Sequence, residues 1–485
     1  MKKPISAMTS YLRAFVPQFF RPSVPSCLRA FAPLCILALL TTGCKIDQKA
    51  EVATYRQVID KDTQVVDFMP GQALSLEQAL ALANQHNERL GLRGEDYLQA
   101  LIAKDRAAAT FLPTVALAPS YFVEKSSHSG AWRDDHHVDV PVNASANLFN
   151  GFSDLARYRG SEHNIVMRRA ILLDAQAAVL LDVANTYYQI LSSEQLVVVL
   201  KNSLVVQEER VRDMRGRTAA GMARPLDLAQ SEAQASQTRV LLLAAENDVR
   251  TGRTTLTFLV GVDTDGNPLV DAVNAPPQLP ELAQLQQRAA DHRQDLAAAV
   301  AEIEAAKQSV QAAIGQYYPS VTLNLNGFIS RQSMPSESQW NSLLSANLPI
   351  FTGGTIQADV RTAWSLLRQA MLSESQTRRQ VVEDVTIAFL NIQSSRKRLD
   401  ELKVQVASAA EALRQADGAY KAGLGTNLER LTAQDQLLSA QLQITNQHFL
   451  LKQYHLQLLR AMGQLSTHLP SGLTTQPSAM PTQPG

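Results

Sequence analysis

The stretch ANLPIFTGG, Ala346–Gly354, ends an alternating segment, turns through a proline and a glycine pair, and opens a very long helix-patterned run. An earlier copy, ANLFNGFSD, spans Ala146–Asp154, and an offset of 202 residues places Phe149 on Phe351 and Gly151 on Gly353. Gly221 falls on Gly423 at the same offset, while Pro113 in FLPTV falls on Pro319 in YYPSV at 206. The chain is therefore read as a tandem duplication whose copies differ by a few residues between those marks.

The helical runs carry the same register in both copies. Val183, Ile190, Val197, Leu204 and Val211 are apolar at seven-residue spacing, and the offset of 202 lands on Val385, Ile392, Leu399, Val406 and Leu413. An apolar residue every seventh position predicts a coiled-coil seam. Upstream, Ile165, Leu172 and Val179 keep the spacing, and the phase shifts by four at Val183. Such a stutter either unwinds the coil locally or moves to the other seam position. Gly151 to Gly221 and Gly353 to Gly423 each cover about 70 residues, roughly 105 Å if helical throughout.

Length and a 45% hydrophobic content leave ample material for a core. The first 43 residues carry Lys2, Lys3, Arg13, Arg21 and Arg29 and no acid, so the remainder has 40 basic against 45 acidic groups. A net negative mature chain argues against nucleic acid as the partner. Cys27 and Cys35 lie in the same basic leader, which leaves Cys44 alone after its removal and excludes a disulfide framework within one chain. The leader's apolar run, Phe31–Leu40, is too short to span a bilayer as a helix. Its ending, LLTTGC, resembles the lipobox of bacterial lipoproteins, which implies acylation of Cys44, and Lys45 after it resembles an outer-membrane address.

Residues 46–71 show no clear period and read as an extended arm. Helical pattern starts near Leu74, with Ser75 as a candidate N-cap, and runs to about Ala109; Leu279–Ser320 is its counterpart. Strands follow each helix. Val138, Val140, Val142, Ala144, Ala146 and Leu148 alternate with Asp139, Pro141, Asn143, Ser145 and Asn147, and Val321, Leu323 and Leu325 alternate with Thr322, Asn324 and Asn326. Further strands near Val115–Val123 and Trp340–Leu348 complete two hairpins. Each strand is read as roughly 9 to 11 residues, the length of a tilted membrane strand. A soluble sheet with one wet face alternates in the same way. The small polar residues of one edge and the lipoprotein leader favour the membrane. Four strands do not close a membrane barrel, so the missing strands must come from other copies of the chain.

Each long helix ends in a glycine turn, RTAAGMARPLD at Arg217–Asp227 and YKAGLGTNLER at Tyr420–Arg430, after which a second helix returns. These turns lie farthest from the strands. No nucleotide loop, zinc-protease signature or nucleophile elbow is present in the sequence. His128, Asp134, Asp135, His136 and His137 crowd one hairpin loop, but their spacing matches no defined metal site. Asp263, Asp265 and Asn267 read as a turn, because Pro268 stands where a calcium loop needs glycine. Neither cofactor nor metal is expected.

Two copies of helix, hairpin, very long helix and return helix, together with LSLEQALALANQHNERL (Leu74–Leu90), DHRQDLAAAVAEIEAAKQSVQAAIGQYYPSVTLN (Asp291–Asn324), NLPIFTGG and YKAGLGTNLERLTAQ (Tyr420–Gln434), resemble the TolC family of outer-membrane efflux channels over roughly Leu74–Gln464. The resemblance implies a mainly α chain with a membrane β-barrel. Two hairpins from each subunit of a homotrimer would build a 12-stranded barrel, continued by an α-helical tunnel into the periplasm. It further implies passive export rather than catalysis, docking to a periplasmic adaptor protein and an inner-membrane pump, and contact with outer-membrane lipid. The expected organisation is a lipoprotein signal peptide at 1–43, a lipid-anchored arm at 44–73, a first efflux-channel repeat at 74–266, a proline-rich connector at 267–281, a second repeat at 282–465 and a disordered tail at 466–485. A candidate periplasmic gate falls at the two turns, on Arg215, Arg217, Arg224, Asp227, Thr426, Asn427, Glu429 and Arg430. The rival reading is a structural, periplasm-spanning coiled-coil lipoprotein without a pore, which leaves the duplicated hairpins unexplained.

Overall fold

The computed structural model describes residues 47–61, 69, 71–128, 131–271, 279–331 and 339–467. Cys44, the expected signal peptide and most of the expected tail lie outside the described residues; of that tail Ser466 and Thr467 are described, and Thr467 is buried. The chain divides into two units, residues 1–51 and 52–485, and the packing below belongs to the second.

The duplication is explicit in the elements. Helices α1 (Gln48–Ile59), α2 (Leu76–His86) and α3 (Glu88–Ala109) precede the first hairpin, and α4 (Ser153–Ala219) and α5 (Pro225–Val260) follow it. The second copy repeats α2–α5 as α6 (Leu282–His292), α7 (Gln294–Gly315), α8 (Thr355–Lys421) and α9 (Asn427–Ala461). Helices α4 and α8 have 67 residues each, about 100 Å of rise. Each packs against its own return helix, and α7 packs against both α4 and α8, so the copies are interlocked rather than merely joined.

Ser75 caps α2 as expected: its Oγ accepts from the Gln78 amide at 3.2 Å, and Gln78 Oε1 accepts from the Ser75 amide at 2.9 Å. The single helix expected up to Ala109 is instead two. Asn87 breaks it, capping α3 through the Arg89 amide and donating its Nδ2 to the Leu259 carbonyl at 2.8 Å. Arg293 stands at the matching break in the second copy. The extended arm is corrected too, since 48–59 is helical. Tyr55 and Ile59, four residues apart, bury one face against Tyr97 and Leu172, and the Ile59 carbonyl accepts from Asn84 and Gln176.

The core sits where both copies meet. Tyr187, Tyr188, Val183 and Ile190 from α4, with Val385 and Ile392 from α8, are fully buried there among Leu80, Leu90, Leu256 and Leu456. Farther along, Val197, Leu204 and Val211 and their copies Leu399, Val406 and Leu413 are half-buried within one chain. Val179 and Val183 are both buried in the same core, so the phase shift is a move to the other seam position.

The connector is more than a linker. Its start forms β5 (Leu269–Val270), which runs parallel to β1 (Leu74–Ser75), and the buried Asn267 donates to the Gln72 carbonyl at 2.7 Å; residues 272–278 lie outside the described residues. The hairpins join into one antiparallel sheet, with strands β2 (Thr114–Leu117), β3 (Ser120–His128), β4 (Ala131–Asn150), β6 (Ser320–Ser330) and β7 (Trp340–Asn347). The strand expected at Val115–Val123 is split at Ala118–Pro119, and β2 and β3 pair in turn with one 20-residue β4, longer than expected because it backs both. Across β4, β6 and β7 a ladder of polar residues runs along one face: Ser145 donates to Asn324 at 2.8 Å, Thr322 meets Ser345 at 2.7 Å, and Asn326 donates to Asn341 at 2.9 Å, with Leu343 opposite Asn324 interrupting it and Ser342 falling on the other face. The other face pairs Ala144 with Leu325, Ala146 with Leu323 and Leu323 with Leu344.

The residues read as a histidine-rich hairpin loop belong instead to strands, His128 to β3 and Asp134–His137 to β4; Ser129 and Gly130 lie outside the described residues, as do the side chains of His128, Asp134, Asp135 and His137. His136 stacks on Tyr121 with centroids 6.1 Å apart. No cluster of His, Cys, Asp and Glu able to hold a metal occurs among the described residues.

Candidate gate at the helix tips

The turn that reverses each coil is built twice on one plan. Gly221 and Gly423 take φ of +70° and +73°, the left-handed conformation that lets Met222 and Leu424 return their amides to the Arg217 and Ala419 carbonyls at 2.7 and 2.8 Å. In the first copy Pro225 occupies the first turn of α5, where its missing N–H costs nothing. In the second, Thr426 and Glu429 form a capping box, with the Glu429 amide donating to Thr426 Oγ1 at 3.2 Å and Glu429 Oε2 accepting from the Thr426 amide at 2.8 Å.

Six of the eight candidate residues therefore act within their own copy. Arg224 forks onto Asp227 with two bonds of 2.9 Å inside one helical turn, and this hydrogen-bonded guanidinium holds the Asp227 carboxyl below its usual range. Arg215 reaches Glu232 at 2.6 Å, Arg217 reaches Asp213 at 3.0 Å, and Thr426 and Glu429 serve the cap. Of the remaining two, Asn427 ties the two copies together and Arg430 orients Asn427 from within its own copy. Asn427, 3% exposed, donates its Nδ2 to the Asp227 backbone carbonyl at 3.2 Å and lies 3.3 Å from Ser231 Oγ. Arg430, 5% exposed, donates to Asn427 Oδ1 at 2.9 Å and places its guanidinium 4.2 Å over the Tyr420 ring.

Behind Asn427 and Arg430 stands a charged cluster that sequence reasoning missed. Asp417 Oδ2 takes Lys421 at 2.6 Å, while its Oδ1 lies 3.9 Å from Arg430 and 4.0 Å from Arg210 of α4. The Lys421 hydrogen bond, with the nearby charges, holds the Asp417 carboxyl below its usual range. Burial, reinforced by the like charge of Arg430, pulls Arg210 down, and Arg210 also donates to the Gln434 side chain. One carboxylate thus balances three cations. The sequence carries a trace of this, because the offset of 202 puts Asp417 on Arg215, a reversal of charge between otherwise parallel turns. Nothing in the sequence places Arg210 beside it.

Beyond these residues the tips present apolar side chains to solvent. Met222 and Leu424, and Leu226 and Leu428, are matched pairs at the same offset, and all four are exposed.

With the duplicated coils, the joined hairpins and the paired turns in place, comparison with known proteins identifies the architecture. The sequence matches the outer membrane efflux protein family over residues 97–262 and 285–464. The chain belongs to that family. It is 25% identical over 411 residues to the outer membrane efflux protein BepC of Brucella suis, covering 82% of this chain and 88% of that one. It is 27% identical over 390 residues to the pyoverdine export outer membrane protein OpmQ of Pseudomonas aeruginosa, covering 76% and 81%. The Campylobacter jejuni CmeC outer membrane channel shares the fold, with a TM-score of 0.75 at 18% identity over 81% of this chain and 87% of that one.

Proposed function

We propose that three copies of this efflux protein assemble into one outer-membrane conduit that passively exports solutes delivered by an inner-membrane pump through a periplasmic adaptor. The observation that carries this reading is the pair of open sheet edges. Among the described residues, the β2/β3 edge pairs only with β4 and β7 pairs only with β6, and both edges expose unpaired backbone groups that a bilayer core cannot satisfy. A neighbouring copy supplies the complement, β7 to β2/β3, and three copies of four strands give twelve. The hydrogen-bonded Asn, Ser and Thr face then lines a wet lumen and the Leu, Val and Ala face meets lipid. The paired exposed residues Met222 with Leu424 and Leu226 with Leu428 suit the adaptor, since six such tips converge in the trimer.

Acylation of Cys44 would add a second attachment at the periplasmic leaflet. The decisive experiment couples light scattering of the detergent-solubilised protein with planar-bilayer recording. Three chains per particle and discrete conductance are expected, whereas a trimer that never conducts would return the chain to a pore-free coiled-coil lipoprotein. Mass spectrometry of the mature N-terminus tests the anchor separately, and an unmodified Cys44 removes it.

A further inference from the structure

Phe152 is the one non-glycine residue with positive φ among the described residues, at φ +62° and ψ +4°, and it starts α4 without any side-chain capping bond. Its counterpart at the offset of 202 is Gly354, at φ +87° and ψ +2°. The two copies make the same turn, and one uses the residue that makes it without strain. A bulky side chain held in the left-handed region is sterically disfavoured, and it persists where the side chain serves something the backbone does not.

The sheet register shows which way that side chain faces. Phe149 pairs with Val321 across a bulge and so lies on the face of Leu323, Leu325 and Leu344, opposite the Asn, Ser and Thr ladder. The Phe152 ring packs edge-on against Phe149 with centroids 5.0 Å apart, yet Phe152 remains 64% exposed. The second copy repeats the station with Ile350 and Phe351, which are also exposed. A neighbouring subunit can cover Phe351, which follows the edge strand β7. It does not reach Phe149 in the same way, because β4 is an inner strand, paired with β6 at Phe149 itself and with β2 up to Ser145.

We infer that Phe152, braced by Phe149, is an interfacial anchor seated in the headgroup region of the periplasmic leaflet of the outer membrane, and that its strained backbone is retained to set the depth of the barrel. The inference rests on the barrel reading above. Its apolar, lipid-facing band runs directly into Phe149, and aromatic rings favour the boundary where an apolar band meets headgroups.

The test uses the full chain with Trp132→Phe, Trp340→Phe and Trp364→Phe, so that Phe152→Trp supplies the sole tryptophan, excited selectively over tyrosine, in vesicles of phosphatidylethanolamine and phosphatidylglycerol. A lipid-borne quencher near the headgroup should dim it several-fold more than one at the acyl terminus, and aqueous iodide should leave it unchanged. Quenching by iodide, or by neither lipid probe, overturns the anchor in favour of solvent or subunit contact. Conductance of the same sample separates this outcome from failure of the barrel itself. Phe152→Gly gives an independent reading: relief of strain should hold or raise the thermal midpoint in detergent, and a clear fall would mean that the ring packs on protein instead.

Discussion

The Asn427 side chain, from the second copy, donates to the backbone carbonyl of Asp227, from the first, at 3.2 Å. Because the acceptor is main chain, the tie between the two coils of a subunit survives any change of the Asp227 side chain. Asn427→Leu should break it, and Arg430→Leu should remove the partner that orients Asn427; each loses a buried hydrogen bond worth about 1–3 kcal/mol when one side is left unsatisfied. Both variants should raise resting conductance in planar bilayers.

Arg224→Ala with Asp227→Ala removes a pair whose arginine is exposed, so that solvent screens most of its attraction. The double variant is expected to raise resting conductance and antibiotic leakage, but by less than Asn427→Leu. A conductance equal to the parent's at both low and high salt would remove Arg224 and Asp227 from the candidate gate.

Asp417 gives the tips a pH dependence of fixed sign. Its folded pKa lies below the ordinary carboxylate value of about 3.9, so the stability it contributes is complete above that value and is lost as pH falls through the folded pKa. Protonation leaves Arg210, Lys421 and Arg430 without their shared counter-charge. Through this group, conductance should be flat from about pH 5 to 8 and rise only below about pH 4. Asp417→Asn should bring the acid behaviour to neutral pH.

The repeat, the seam register and the strand faces were legible because each is a periodic signal, and Val183, Ile190, Val385 and Ile392 are buried where the seven-residue spacing put them. What escaped was decided by residues distant in sequence. Leu74 to Ala109 reads as one helix until Asn87 finds the Leu259 carbonyl, 172 positions away. The Arg210–Asp417 approach joins two copies, and no local pattern encodes it. The split at Pro119 was available locally, since a proline in a strand marks an edge or a break.

Tyr187 links the start of the first repeat to the connector that follows it. Its hydroxyl lies 2.7 Å from the Leu74 carbonyl and 2.8 Å from the Val270 carbonyl, and it accepts from the Val270 amide at 2.9 Å, pinning β1 to β5. Tyr187→Phe keeps the ring but leaves the half-buried Val270 amide without this acceptor, at a cost of about 1 kcal/mol. A lowered thermal midpoint and faster amide exchange at Val270 are expected, with the conductance of the folded channel unchanged.

The docking of α1 depends on a glycine whose absent side chain makes the room. A Cβ added at Gly94 would stand 2.3 Å from Cδ2 of Tyr55, a ring already buried against Tyr97 and Leu172. Gly94→Ala must therefore displace the ring, and such overpacking costs about 1–3 kcal/mol. It should expose α1 to limited proteolysis. In a Tyr55→Ala background the obstacle is gone, and the same Gly94→Ala change should stabilise α3 by roughly 1 kcal/mol through helix propensity alone. The sign of the Gly94→Ala effect on the thermal midpoint should thus invert between the two backgrounds. An effect of one sign in both would mean that Tyr55 does not occupy the space above Gly94.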